Sequence, residues 1–152
     1  MAEHRATVQW KRDGAVFSDN RYARAHSWSF DGGAVVPGSS APTVVPAPYS
    51  DPSAVDPEEA LVASASACHM LWFLHVAREA GFVVDSYSDE AVGRMTKNAA
   101  RKLWISRIDL YPKTTWSGPA PDPQALAALH EKAHENCFIA TSLKSEIVTH
   151  PQ

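Results

Sequence analysis

The sequence has little cysteine: Cys68 and Cys137 are the only two among 152 residues. Two cysteines, without an apolar leader near the N-terminus, do not make the disulfide framework of a small secreted protein, so we expect a cytoplasmic location. Lysine and arginine form no cluster and the net charge is -3, which argues against a nucleic-acid partner. Glycine-rich phosphate loops, C-x-x-C pairs and serine nucleophile elbows are absent. The two thiols are therefore the first candidates for chemistry.

Only one stretch, residues 60–77, is apolar enough to suggest a membrane span. Ser64, Ser66, His69 and His75 interrupt it, so a buried helix of a soluble protein explains it better than a segment in lipid. The length and globular composition predict a single domain over residues 1–152, with no membrane partner.

The first third of the chain has the alternating pattern of β-strands. Residues 5–10 and 25–30 alternate, and Asp31-Gly32-Gly33 predicts a turn that leads into a third strand at 34–36. A proline-rich connection over residues 37–53 follows, and loops of this length are usually functional.

A helix start follows at Asp56, which is typical of an N-cap. Pro57 occupies the first helical position and Glu59 stands three residues after the cap, as in a capping box. Residues 60–77 are apolar on nearly every face, so we expect this helix to be central and buried all round. Gly81 is a good C-terminal stop.

Strands return between residues 82 and 116, with the clearest at 91–95 and 103–110 around a turn at Lys97-Asn98. Asp122-Pro123 begins an amphipathic helix over 124–135, followed by a short helix at 137–143 and a terminal strand at 146–148. This order predicts an α+β fold with two antiparallel sheet regions around the buried central helix.

The surroundings of Cys68 resemble those of the OsmC/Ohr thiol peroxidases, the osmotic-stress and organic hydroperoxide resistance proteins. The shared pattern is Asp56-Pro57-Glu58, then small residues, then Ser66-Ala67-Cys68, ten residues after the glutamate. The segment 22–33 resembles the strand that carries the site arginine of the family, and His134-Glu135-Asn136-Cys137 resembles its second cysteine segment. The resemblance covers roughly residues 21–147 and implies the OsmC-like fold.

The resemblance implies that Cys68 attacks an organic hydroperoxide, becomes a sulfenic acid and forms a disulfide with Cys137, which an external dithiol, of lipoyl type in the family, reduces. It gives Arg24 the role of activating the Cys68 thiolate, with Glu58 orienting the guanidinium. Arg21 competes with Arg24 for that role. The chemistry needs no metal, flavin or haem.

Helix geometry separates Glu58 from Cys68. Ten residues of straight helix rise about 15 Å, so the two side chains cannot share one site on an unbroken helix. Either the helix breaks between them or Glu58 serves Cys68 of another subunit. The resemblance implies an intertwined homodimer with its sites at the interface.

Two positions depart from the family pattern. Phe138 stands where proline often follows the second cysteine, and His69 follows Cys68 where many members have an apolar residue. Trp72, Phe73 and Phe138 favour an apolar hydroperoxide, although core packing explains aromatic side chains equally well.

The sequence is also compatible with two alternative functions. His130-Glu131-Lys132-Ala133-His134 matches the H-E-x-x-H pattern of zinc hydrolases. The pattern needs a third ligand, for which only Glu146 and His150 remain downstream, and the two histidines fit the wet side of the helix. The other alternative is a ligand-binding protein of the same fold, which has no catalysis and in which Cys68 is unreactive.

Overall fold

The computed structural model describes residues 2–152. The chain divides into two compact units, residues up to 60 and residues from 61 onward, and each is described by itself. The single domain predicted from the sequence stays a prediction.

The first unit is built on a three-stranded antiparallel sheet in the order β1-β2-β3. Its strands are β1 (Ala6–Gln9), β2 (His26–Phe30) and β3 (Val35–Gly38). The predicted hairpin between β2 and β3 is confirmed, and Gly33 takes the positive φ of 87° that its turn requires. The mixed α+β composition predicted from the sequence is confirmed as well.

The proline-rich connection after β3 is anchored at both ends. Ser39 and Val55 are joined by a backbone hydrogen bond of 3.0 Å, and the Asp51 N–H donates to the buried Ser39 hydroxyl. The backbone N–H of Arg24 donates to the carbonyl of Tyr49 in the same connection. These bonds fix the segment against the sheet.

Helix α1 (Pro57–Glu79) begins as the sequence predicts. The Glu59 N–H donates to the Asp56 carboxylate at 2.8 Å, and the Asp56 N–H donates back to the Glu59 carboxylate at 3.2 Å. Both members of the capping box are therefore present, and Pro57 fills a position whose N–H has no helical partner.

The prediction that α1 is buried all round is wrong. Its buried residues, spaced three or four apart, form one stripe: Ala65, His69, Phe73, Val76 and Ala77. Leu71 on another face is 63 % exposed. By length and composition α1 could cross a membrane, yet its stripe packs into the protein core, as in a core helix of a soluble fold. One stripe is buried because the chain supplies packing partners for one face alone.

The second unit contains the remaining strands and helices. They are β4 (Val83–Asp89), β5 (Val92–Lys97), β6 (Leu103–Leu110), β7 (Pro112–Ser117), α2 (Pro123–Asn136), α3 (Phe138–Ser142) and β8 (Glu146–Thr149). Strands β4 and β7 form an antiparallel pair, and β5, β6 and β8 form a three-stranded sheet. The β5–β6 hairpin is where the sequence predicts it.

Strand β8 differs from the expected arrangement, because it pairs parallel to β6 and makes that sheet mixed. Parallel neighbours need a crossover connection, and α2 and α3 lie between the two strands in the chain and supply it. The prediction of antiparallel sheet regions is therefore corrected for this strand.

Two hydrophobic clusters hold the second unit together. One joins Phe73, Val76 and Ala77 of α1 to Leu129 and Ala133 of α2. The other joins Ala65 of α1 to Ile105, Ile108 and Leu110 of β6. Helix α1 thus packs against α2 through one part of its stripe and against the mixed sheet through another.

Glycine 93 allows β5 to approach α1 closely. A Cβ atom at this position would lie 2.5 Å from the Val62 Cγ2 atom, which is well inside van der Waals contact. The backbone of β5 therefore lies directly on α1 at Val62, nearly two helical turns before Cys68.

Candidate active site

The two thiols meet inside the second unit, although 68 other residues separate them in the chain. Both are free, and Cys68 lies close enough to Cys137 to raise the pKa of its thiol. Cys68 is half-buried on α1, whereas Cys137 is 1 % exposed. The structure therefore brings together the two cysteines that the sequence singled out, and Cys68 is the more accessible.

Cys137 lies at the junction of two helices. It follows the last residue of α2 and is the N-cap of α3, where the Ala140 N–H donates to its Sγ atom at 3.4 Å. Burial and the neighbouring Cys68 thiol raise the pKa of the Cys137 thiol to about 11, although the Ala140 N–H opposes them. Cys137 is thus a protonated thiol at neutral pH, held beside Cys68.

Trp72 and Phe138 form an aromatic pair beside the thiols. Trp72 follows Cys68 by one helical turn and Phe138 follows Cys137 directly. Their rings meet edge to face, with centroids 5.4 Å apart, and Phe138 is 70 % exposed. Phe73, by contrast, is fully buried in the core cluster. Core packing therefore accounts for Phe73 but not for the exposed ring of Phe138.

A second buried pair links α1 to α2. The His69 Nε2 atom lies 3.0 Å from the His130 Nδ1 atom, and the His130 ring stacks on Phe73 at 4.2 Å. The exposed fractions of the two histidines are 1 % and 4 %. Burial lowers the pKa of both imidazoles to about 4, so both are neutral at physiological pH.

This pair corrects one interpretation of the H-E-x-x-H sequence. His130 does not lie on the wet side of α2 but faces α1, while His134 is half-buried. Among residues 2–152, no three His, Cys, Asp or Glu side chains are grouped as metal ligands. The spacing of the motif is helical, but the first imidazole is directed into the protein.

Arg24 lies in the first unit, where its own loop holds it. Its guanidinium donates to the Asn20 carbonyl at 3.1 Å, to the Asn20 amide oxygen at 2.6 Å and to the Tyr22 carbonyl, and it stacks 3.7 Å above the Tyr22 ring. It lines an apolar pocket of about 400 Å³ together with Trp10 and Phe17. Arg21, its competitor, is exposed.

Glu58 is half-buried in the first turn of α1. Within the described part of this unit, no ion pair joins Glu58 to Arg24. Helix α1 is continuous from Pro57 to Glu79, so the alternative in which it breaks between Glu58 and Cys68 is wrong. Of the four residues predicted for the site, the two cysteines lie close together, and the roles of Arg24 and Glu58 stay predictions.

Sequence reasoning missed the histidine pair. His69 was visible as a departure from the family pattern and His130 as part of a metal motif, but no local pattern links side chains 61 residues apart. The one available signal was a polar residue at a core position of each helix, which implies a buried partner.

A protein-family comparison matches residues 50–151 to the OsmC-like protein family. An OsmC-like protein of unknown function from Vibrio cholerae has a solved structure that is 48 % identical, with a TM-score of 0.96 and complete coverage of both chains. Two organic hydroperoxide resistance proteins share the fold at low identity. OhrB of Bacillus subtilis is 18 % identical, with a TM-score of 0.72 and coverage of 99 % of this chain and 98 % of its own. The protein of Elizabethkingia anophelis is 16 % identical, with a TM-score of 0.72 and coverage of 99 % and 94 %. None of the curated proteins matches the chain significantly.

Proposed function

Because the chain belongs to the OsmC-like family, we propose that it is a thiol peroxidase that reduces organic hydroperoxides through Cys68 and Cys137. The observation that carries the proposal is the contact between one accessible thiol and one buried, protonated thiol. The names of the hydroperoxide resistance proteins that share the fold support the choice of substrate.

The reaction has two balanced steps. The Cys68 sulfur attacks the outer oxygen of the hydroperoxide, the O–O bond breaks, and an alcohol leaves with the thiol proton, so that Cys68 becomes a sulfenic acid. The Cys137 sulfur then displaces the hydroxyl of that sulfenic acid, and its own proton completes a water molecule as the disulfide forms. An external dithiol, of lipoyl type, reduces the disulfide by exchange and is itself oxidised.

Exposure and protonation assign the two roles. A hydroperoxide reaches a half-buried thiol more readily than one that is 1 % exposed. The raised pKa of Cys137 keeps its proton in place until the sulfenic acid has formed, which suits the second step rather than the first.

Activation requires a second copy of the chain. On a continuous helix Glu58 lies about 15 Å from Cys68, so we assign it and Arg24 to the site of the partner in a homodimer. The uncovered apolar face of α1, which includes Leu71, supports such a partner, because large exposed apolar surfaces mark association sites.

We place the protein in the cytoplasm.

The substrate that fits this site is an apolar hydroperoxide. The edge-to-face pair of half-buried Trp72 and exposed Phe138 offers aromatic surface next to both thiols. Such surface binds an alkyl or aryl group far better than it binds hydrogen peroxide.

The test is the intact mass of the reduced protein before and after one equivalent of cumene hydroperoxide. We expect a loss of two hydrogens in the natural protein, no change in Cys68→Ser, and a gain of oxygen in Cys137→Ser. His130→Ala/His134→Ala should still be oxidised, whereas a zinc hydrolase would lose its activity.

An unchanged mass in the natural protein would remove the peroxidase and favour a ligand-binding member of the same fold. In that case Cys68 would also react slowly with alkylating reagents. A gain of oxygen in Cys68→Ser would contradict the assigned roles, because Cys137 would then be the thiol that attacks the hydroperoxide.

A further inference from the structure

The His69–His130 pair has no role in the two reaction steps given above, and its burial needs an explanation. The two rings share one hydrogen bond of 3.0 Å, while the His69 Nδ1 and His130 Nε2 atoms have no partner among the described residues. A buried polar atom without a partner destabilises the fold, and two apolar side chains of similar size would avoid that cost.

The pair lies where it can control the geometry of the thiols. His69 follows Cys68 directly on α1, and His130 belongs to α2, the helix that ends at Cys137. The hydrogen bond therefore joins the two elements that carry the sulfurs. Unlike apolar contacts, a hydrogen bond is directional, and it fixes the rotation of one helix against the other.

We propose that His69 and His130 are positioning residues for the disulfide-forming step. Their hydrogen bond holds α1 and α2 in the alignment in which the Cys137 sulfur reaches a sulfenic acid on Cys68. The inference rests on the proposed function for its chemistry, but the alignment itself is a property of the reduced protein. Without the pair, the sulfenic acid on Cys68 forms at the normal rate, but its reaction with Cys137 is slower.

The surroundings of the pair keep it neutral. Burial and, to a smaller extent, His134 of α2 oppose a positive charge on His69, and together they outweigh Asp89 at the end of β4, which favours one. Asp89 is itself engaged by the Ser66 hydroxyl and by the Tyr111 N–H at 2.6 Å. Tyr87 of β4 also packs on Phe73, and burial and Asp89 raise the pKa of its phenol, so it stays neutral.

The test compares the natural protein with His69→Leu/His130→Leu, in which both partners become apolar together. The first measurement is the equilibrium of the Cys68–Cys137 disulfide with dithiothreitol, followed by intact mass. The second is the fraction of Cys68 that dimedone traps as sulfenic acid after one equivalent of cumene hydroperoxide. We expect the double variant to be reduced about tenfold more readily, the effect of one hydrogen bond, and to be trapped more by dimedone.

Three further variants make the comparison specific. His130→Asn places an amide where the Nδ1 atom lies and should restore natural behaviour. His130→Phe keeps the ring on Phe73 without the hydrogen bond, and we expect the same shift of the dithiothreitol equilibrium as in the double variant. It replaces the double variant in the comparison if the latter fails to fold. His134→Leu, on the same helix, should match the natural protein.

A dithiothreitol equilibrium that is equal in the natural protein, the double variant and His130→Phe would overturn the inference and leave the pair a packing feature. If cumene hydroperoxide oxidises Cys68 in none of these proteins, the proposed function fails instead. The dithiothreitol equilibrium still decides the inference in that case, because it needs no peroxide.

Discussion

Phe138 is the residue at which this chain departs most visibly from the family pattern. Proline often occupies this position, and here an aromatic ring is 70 % exposed beside a buried thiol. The Trp72 ring on the neighbouring helix supports it from one side. An exposed aromatic ring in this position is costly for solubility and fits a role in substrate selection.

We expect Phe138→Ala to lower kcat/KM for cumene hydroperoxide about tenfold and to leave that for hydrogen peroxide nearly unchanged. The reason is that an aryl group loses about 1–2 kcal/mol of apolar contact, whereas hydrogen peroxide makes none. Steady-state kinetics with both peroxides measures the ratio. Exposed Val44→Ala, in the first unit, is the control, and an equal loss for both peroxides would contradict the assignment.

The buried imidazoles make an acid-sensitive contribution to stability. Their pKa is lowered to about 4 from 6.5, so the unfolded chain binds protons more readily between these values. The contribution is complete above pH 6.5 and is lost as the pH falls toward 4. We expect the natural protein to lose about 5 kcal/mol more than His69→Leu/His130→Leu between these limits, by urea unfolding at several pH values. An equal loss of the free energy of unfolding in the two proteins between pH 6.5 and pH 4 would contradict this prediction.

At the residue level, the sequence predicted the thiols but not what surrounds them. Family spacing identified Cys68 and Cys137, and the structure brings them together. The partner of His69 could not be found, because pairing across distant helices depends on how α1 and α2 pack. For the same reason, the prediction from the sequence that His130 lies on the solvent-exposed side of α2 was wrong.

At the level of elements, Asp109 connects three parts of the second unit. This carboxylate on β6 is buried and accepts from Arg94 of β5 at 3.0 Å, from Arg107 of its own strand at 2.8 Å, and pairs with His150, just beyond β8, at 2.8 Å. The hydrogen bonds from Arg107 and His150 hold its pKa well below the ordinary value. The last strand is thus tied to the sheet by charge as well as by its backbone.

We expect Asp109→Asn to lower the free energy of unfolding by about 2 kcal/mol, because Arg94, Arg107 and His150 lose their shared anion. Urea unfolding near neutral pH measures the loss, with the exposed turn residue Asp31→Asn as control. The folded-state pKa is depressed, so this contribution is present above pH 3.8 and lost below it. A loss below about 0.5 kcal/mol would show that solvent screens the network.

Local signals explain which elements could be predicted. The start of α1 follows from Asp56, Pro57 and Glu59, which act within one turn, and the β5–β6 hairpin follows from two alternating runs around a short polar turn. The parallel pairing of β8 could not be read this way. It depends on the crossover through α2 and α3, and strand alternation carries no information about direction.

At the level of the whole molecule, the continuous helix decides how the proposed site is assembled. Glu58 and Cys68 of the same α1 are too far apart to act in one site. The same helix also exposes an apolar face that includes Leu71. The proposed homodimer, in which each site takes its cysteines from one subunit and Glu58 from the other, would account for both facts.

Co-expression of Glu58→Gln with Cys68→Ser tests this arrangement. Either variant alone should be nearly inactive, but a mixed dimer contains one complete site, with Cys68 from one chain and Glu58 from the other. We expect about one quarter of the natural activity, because half of the dimers are mixed and half of their sites work. Peroxidase assays of the unseparated mixture measure it, and purified mixed dimers should have half of the natural activity. Mixed dimers without activity would place Glu58 in the site of its own subunit.

The meeting of Cys68 and Cys137 also affects the unfolded chain. A bond between these sulfurs closes a loop of about 70 residues, which includes most of the second unit. Closing a loop of this size removes chain entropy worth about 4 kcal/mol from the unfolded state. The oxidised form would then be the more heat-resistant one although its fold is the same, so that the melting temperature records whether reductant or peroxide is in excess.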